Sequence, residues 1–144
     1  MRHSIFISTG PTQTRKIGEN LAKKSLKTPK NKKTLVFGLV GDLGGGKTTF
    51  LQGFAKGLGI KEKILSPTFV LIRRYDKFYH IDCYRIQKPK ELLDIGFKEI
   101  ISGPGNIVAI EWSDKIEKIL PKTAIMIRFI FVEENTRKIT VSAP

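Results

Sequence analysis

The stretch Gly41-Asp42-Leu43-Gly44-Gly45-Gly46-Lys47-Thr48-Thr49 constrains this chain more than any other. It places Gly41, Gly46, Lys47 and Thr48 at the fixed positions of the phosphate-loop pattern G-x-x-x-x-G-K-[ST]. An apolar, β-prone run, Leu35-Val36-Phe37-Gly38-Leu39-Val40, leads into it, and Phe50 to Leu58 follows with apolar residues at helical spacing. Strand, glycine loop and helix is the geometry the motif needs. The residue types follow from the chemistry. A polyphosphate must be met by several backbone N–H groups at once, so side chains are absent where it approaches, and glycine tolerates positive φ. The helix N-terminus adds unpaired N–H donors and a partial positive charge. Leu43, Gly44, Gly45 and Gly46 are the expected cradle. Lys47 is expected to reach the β- and γ-phosphates, Thr48 to ligate Mg²⁺ and Thr49 to reach the α-phosphate. A glycine-rich turn ahead of an ordinary helix is the plainer alternative, and the match on both flanks weighs against it.

The length of 144 residues fits one domain, residues 1–144, with room for a real core. Apolar content of 40% and charged content of 27% read as soluble and globular. No apolar run approaches the roughly twenty residues of a membrane span, and the first residues lack the long apolar core of a secretory signal. Cys83 is the one cysteine, which excludes an internal disulfide and a cysteine-rich zinc site. The expected compartment is therefore the cytoplasm. The net charge of +13 allows two readings, a nucleic-acid-binding face or lysines spread evenly over the surface. The one dense patch is Lys23-Lys24, Lys27, Lys30 and Lys32-Lys33, which reads mainly as a solvated helix end.

The chain starts with a strand over Ser4–Ser8, then a turn at Thr9-Gly10-Pro11-Thr12 in which Thr12 is a fair helix N-cap. Ile17, Leu21, Ala22 and Leu26 mark an amphipathic helix over Gln13–Leu26, and Pro29 ends that region. After the phosphate loop and its helix, Ile64–Ile72 with Tyr75, and Phe78–Asp82, suggest two strands around a tight turn at Asp76-Lys77. Glu91–Ile101 is helical with a break at Gly96, and Ile107–Ile110 suits a buried strand ending in Glu111-Trp112. Ile116–Leu120 is a short helical piece. Ala124–Val132 and Lys138–Ser142 form a terminal strand pair.

A nucleotide site needs a carboxylate near its metal, usually at the end of a buried strand. Asp82 and Glu111 both qualify, and either could instead be an ordinary acid at a strand end. His80 could be a ligand or a base, but reads better as a packed strand residue. Trp112 could sit against the site or a partner, with core packing the plainer reading. Cys83 reads as inert.

Gly41–Thr49, Ser66-Pro67-Thr68-Phe69, His80-Ile81-Asp82-Cys83-Tyr84-Arg85 and Glu111-Trp112 stand in an order that resembles the TsaE (YjeE) family of bacterial ATPases. The resemblance runs from the first helix to the final strand. Departures are Gly45 where alanine is usual, Cys83 where leucine is common and Ser113 where proline is common, and none removes a functional group. The resemblance implies a weak, Mg²⁺-dependent ATPase, binding ATP/ADP, that serves the threonylcarbamoyladenosine modification of tRNA in a complex with the TsaD and TsaB proteins. It implies an α/β, P-loop NTPase-like three-layer sandwich with a mixed, largely parallel central sheet and a β-hairpin. It suggests Glu111 beside Thr48 as the metal carboxylate and Asp82 within a Walker-B-like block. Thr68 resembles a switch position sensing the γ-phosphate, although a turn threonine after Pro67 reads as well. Thr12 and Arg137 would line the adenine end. The high positive charge is no hallmark of the family and leaves a direct tRNA contact open.

Two other classes compete. A small P-loop kinase would need an acceptor site and a lid with arginines; only Arg73, Arg74 and Arg85 could serve, and there is no insertion of lid size. A nucleic-acid-binding module that merely keeps a nucleotide loop would bind RNA strongly and salt-dependently without ATP.

Overall fold

The computed structural model describes residues 2–27, 33–41, 46–64 and 71–144. Asp42–Gly45 of the phosphate loop, Thr68 with its neighbours, Pro29, Lys30 and Lys32 lie outside the described residues. Strands β1 (Arg2–Ser8), β2 (Leu35–Gly41), β3 (Ile72–Tyr75), β4 (Phe78–Asp82), β5 (Ile107–Glu111), β6 (Ile125–Glu133) and β7 (Thr136–Ala143) form one sheet, in the order β1-β7-β6-β2-β5-β4-β3. The strands β6, β2, β5 and β4 run parallel to their neighbours. Two antiparallel hairpins, β3–β4 and β6–β7, flank them, and β1 pairs antiparallel with β7.

The apolar character of β2 and β5 follows from burial on both faces. On one face Phe37, Leu39, Ala109, Ile127 and Phe129 pack under helices α1 (Pro11–Leu26) and α2 (Lys47–Gly57), whose Ala22, Phe50 and Phe54 join the same cluster. On the other face Val36, Val108, Ile110 and Ile81 meet α3 (Lys90–Leu93), α4 (Phe97–Ser102) and a 3₁₀ helix (Ser113–Ile119) through Leu92, Phe97 and Ile116. Helices, sheet and helices make the three layers expected.

Several local expectations shift. The first helix begins at Pro11, with Gly10 as its cap, so Thr12 lies inside the first turn. Proline is pre-organised for the first helical position, and Gln13 Oε1 accepts from the Thr9 N–H (2.8 Å) and hydroxyl (2.9 Å), closing the end without Thr12. Of the strand expected over Ile64–Ile72, residues 65–70 lie outside the described residues; β3 covers Ile72–Tyr75, and Ile64 is a core residue after α2. The helical piece expected at Ile116 starts earlier, at Ser113, as a 3₁₀ helix kinked at Ile116. Gly96 does separate two helices, in the left-handed region at φ 98°. Lys23, in the basic patch, bonds Glu19 at 3.1 Å, and Lys23, Lys24, Lys27 and Lys33 are exposed, as a solvated helix end requires.

Helices α1 and α2 approach unusually closely. A side chain on Gly53 would collide with the Arg15 carbonyl, one on Gly18 with the Phe50 carbonyl and one on Gly57 with the Glu19 carbonyl. These glycines let the two backbones touch, and so fix where the start of α2 points.

Candidate functional site

The parallel strands end at one edge of the sheet, the usual place for a ligand in an open α/β fold. Alternation decides which side chains reach it. Phe78, His80 and Asp82 stand on one face of β4, paired with Ile107, Ala109 and Glu111 of β5, and Phe37 and Leu39 of β2 continue the rows. Phe37, Phe78 and Ala109 lie in the cluster under α1 and α2. His80, Asp82 and Glu111 therefore sit on the face that carries the helix following the phosphate loop.

That helix begins at Lys47, with Gly46 as its cap in the left-handed region at φ 93°, and among the described residues no side chain caps it. Thr48 and Thr49 are half-buried in its first turn. Lys47 is 5% exposed. Its Nζ donates to the Gly41 carbonyl at the end of β2 and lies 4.2 Å over the Trp112 ring. Trp112 takes a left-handed conformation, φ 57°, immediately after Glu111. Its ring stacks on Tyr84 at 5.2 Å, and Lys115 lies against both rings and donates to the Tyr84 carbonyl. Trp112 is half-buried and packs against the core cluster of the second layer, while its ring also lies under the Lys47 ammonium at the site.

His80 is fully buried and Glu111 is 4% exposed. His80 Nε2 donates to Glu111 Oε2 at 2.6 Å, in the tautomer that makes Nε2 the donor, while Nδ1 has no partner among the described residues. Asp82 follows on the same strand face. Burial pushes its carboxyl above the ordinary range, the Tyr84 N–H donated to it at 2.9 Å pulls the other way, and the nearby Glu111 raises it further. Cys83 points to the opposite layer, and burial pushes its thiol up to about 12, so it stays a neutral thiol at physiological pH.

Beside the start of α2 is a hollow of about 120 Å³ lined by Gly10, Pro11, Thr14, Gly46, Thr49, Asn135 and Arg137. Arg137 Nη1 donates to the carbonyls of Glu133 (3.2 Å) and Thr136 (3.0 Å), with the guanidinium 4.8 Å over Phe131. The expected pair is thus split. Arg137 lines the hollow, whereas Thr12 is exposed and outside the lining, where Thr14 stands, bonded to Ser8 Oγ at 2.6 Å. Arg73 and Arg74 lie exposed on the edge strand β3 and Arg85 is exposed beyond β4.

The residues present fit a Mg²⁺ nucleotide. An uncapped helix start, a buried lysine at its first position and an adjoining hollow suit a polyphosphate and its attached group. Among the described residues no three His, Cys, Asp or Glu gather as an all-protein metal cage. Mg²⁺ takes one or two protein oxygens and completes its shell with phosphate and water; Glu111 and the Thr48 hydroxyl are oxygens that could serve. Reading the sequence missed the His80–Glu111 bond and the Trp112–Lys47 contact. The signal for the first was the pattern His-x-Asp on one strand and Glu at the end of another, which alternation can place on one face.

Comparison with known proteins places this arrangement in context. The family model described as "Threonylcarbamoyl adenosine biosynthesis protein TsaE" matches residues 8–139. The chain is 41% identical over 112 residues to the tRNA threonylcarbamoyladenosine biosynthesis protein TsaE of Bacillus subtilis, covering 75% of this chain and 69% of that one. It is 36% identical over 138 residues to the protein of the same name from Rickettsia felis, covering 92% and 76%. Its fold matches the crystal structure of Bacillus subtilis YdiB with a TM-score of 0.77 and 31% identity, over 99% of this chain and 86% of that one.

Proposed function

The chain belongs to the TsaE family of threonylcarbamoyl adenosine biosynthesis proteins, and on that premise we propose that it is a Mg²⁺-dependent ATP-binding protein and slow ATPase. It serves the threonylcarbamoyladenosine modification of tRNA, in the cytoplasm, within a complex with the TsaD and TsaB proteins. The observation that carries the reading is the convergence of buried Lys47, at the start of α2, and buried Glu111, at the end of β5, on one face and edge of the sheet. No helix among the described residues is long and apolar enough to cross a membrane.

Each residue has a separate task. Lys47 presents a fixed positive charge to the phosphates in a site sheltered from water, where it is worth more than at the surface. Bound Mg²⁺ supplies further neutralisation of the charge on the transferring phosphoryl group. Glu111 and the Thr48 hydroxyl are the protein oxygens that would hold the ion, and the His80 bond fixes how Glu111 presents its carboxylate, as partners of metal-binding carboxylates do. Asp82, whose affinity for a proton is raised, can accept one from an attacking water. Arg137 and Thr49 would border the remainder of the nucleotide.

Of the candidates for an arginine that neutralises the transferring phosphoryl group, Arg73 and Arg74 are exposed on the edge strand β3 and Arg85 is exposed after β4, so none is buried as Lys47 is. A missing charge of that kind can cost roughly a thousandfold or more in rate. Steady-state ATP hydrolysis is therefore expected to be slow for the purified chain and accelerated by TsaD and TsaB together. Fast turnover by the chain alone, unchanged by those proteins, would instead indicate a self-sufficient ATPase or a kinase.

The metal assignment has its own test. Glu111→Ala is expected to suppress Mg²⁺-dependent hydrolysis by about a hundredfold while changing metal-free nucleotide affinity by less than about threefold, because outer and inner oxygens of a metal site act mainly on the metal. Hydrolysis and calorimetric titrations with and without Mg²⁺ separate the two. The same pattern from Asp82→Ala, with Glu111→Ala neutral, would exchange the two roles.

A further inference from the structure

The helices on the second face of the sheet reach only part of its width. Met126 of β6 packs against that layer. Beyond it, the register aligns Ile5 with Thr140 and Arg128, and Ile7 with Lys138 and Ile130, across β1, β7 and β6. Partners in register share a face, so these residues form two rows on the side opposite α1 and α2. Ile5 is 62% exposed, Ile7 57% and Ile130 45%. Ile5, Ile7 and Ile130 are three of the nine exposed large apolar side chains among the described residues, and they stand together on this face, whereas Phe6 and Phe131 pair with Ile139 and Arg137 in the rows of the other face. Apolar groups clustered in this way mark a contact surface rather than scattered exposure.

We propose that this uncovered face of β1, β7 and β6 is the docking surface for a protein partner whose own surface is apolar at its centre and carries carboxylates around it. Charge selects the partner. Arg128 and Lys138 are set among the isoleucines, no acidic residue stands in the two rows, and the chain as a whole carries +13. A second copy would bring Arg128 and Lys138 against themselves, which like-charge repulsion opposes. Nucleic acid suits the face poorly, because sheets that read single-stranded RNA offer aromatic rings for the bases to stack on, and these rows offer aliphatic side chains. The site for the nucleotide lies on the face that carries α1 and α2, opposite these rows, so docking and nucleotide binding can be separated by mutation. The proposal rests on the reading that the chain works in a complex, and adds where the partner sits.

The test uses the full chain with TsaD and TsaB as the probe. In the triple variant Ile5→Thr, Ile7→Thr, Ile130→Thr, threonine keeps the strand preference of isoleucine while removing apolar area. Its affinity for the TsaD–TsaB pair is expected to fall about a hundredfold, with melting temperature and ATP affinity close to those of the parent. A second variant, Arg128→Glu with Lys138→Glu, is expected to slow association about tenfold and to reverse its salt dependence. Binding by both folded variants equal to that of the parent overturns the surface assignment alone. Failure of the parent chain to bind either protein overturns the complex reading together with it. A parent homodimer dispersed by the threonine variant, or tRNA binding lost from the variants while protein binding persists, also overturns it, in favour of self-association or of RNA.

Discussion

Lys47→Ala is expected to weaken ATP binding by roughly a hundredfold or more. The lysine opens α2, is almost wholly buried and is held between the Gly41 carbonyl and the Trp112 ring. Its ammonium has few waters to lose when phosphate arrives, and a charged hydrogen bond in such a place contributes about 1.5–3 kcal/mol. Truncation also leaves the bound phosphate charge without its fixed counterpart. Lys56→Ala, at an exposed position of the same helix, is the matched control and should leave affinity unchanged. Calorimetry with ATP measures both. Unchanged affinity for Lys47→Ala in a folded protein would falsify the phosphate-loop assignment.

Gly53→Ala is expected to destabilise the fold by about 3 kcal/mol, although alanine is the better helix former by about 1 kcal/mol. In an exposed helix the substitution would stabilise. Here the added methyl meets the Arg15 backbone, which belongs to another helix and cannot swing aside as a flexible side chain would. The two helices must separate, loosening Phe50 and Phe54 in the core they share with the sheet. A loss of that size corresponds to about 6–12 °C in Tm for a chain of this length. Differential scanning calorimetry reads it directly, and a melting temperature at or above the parent's would contradict the close contact. ATP affinity should fall as well, because the contact sets the position of the α2 N-terminus.

Elements governed by local chemistry are legible in the amino-acid sequence alone. The phosphate-loop strand, its helix, the hairpin turn at Asp76-Lys77 and the Gly96 break are written in short windows of residues. Where two local signals compete, sequence reasoning goes astray. Pro11 outranks Thr12 at the start of α1, since a fixed φ at the first helical position serves better than a hydroxyl one residue later. His80 is packed within its strand, as its pattern suggests, but its bond to Glu111 escapes notice because the partner lies 31 residues away on a neighbouring strand. Only the sheet order and register, which no short window contains, bring them together. Arg137 joins Gly10, Pro11 and Thr14 at the hollow for the same reason, β7 folding back beside β1.

That last pairing carries a consequence for how the molecule reaches its working form. His3 and Ser142, joined at 2.9 Å, are separated by 139 residues. Closing so long a loop is entropically unfavourable until the intervening chain has condensed, and contacts of such separation slow folding. The inner strands and α2 can assemble from nearer neighbours, and β1 docks when β7 is ready to receive it. The hollow beside α2 needs residues from both ends of this span, Gly10, Pro11 and Thr14 from one, Asn135 and Arg137 from the other. The hollow is therefore expected to be among the last features to form, and a chain that holds the proposed nucleotide there is expected to have finished folding.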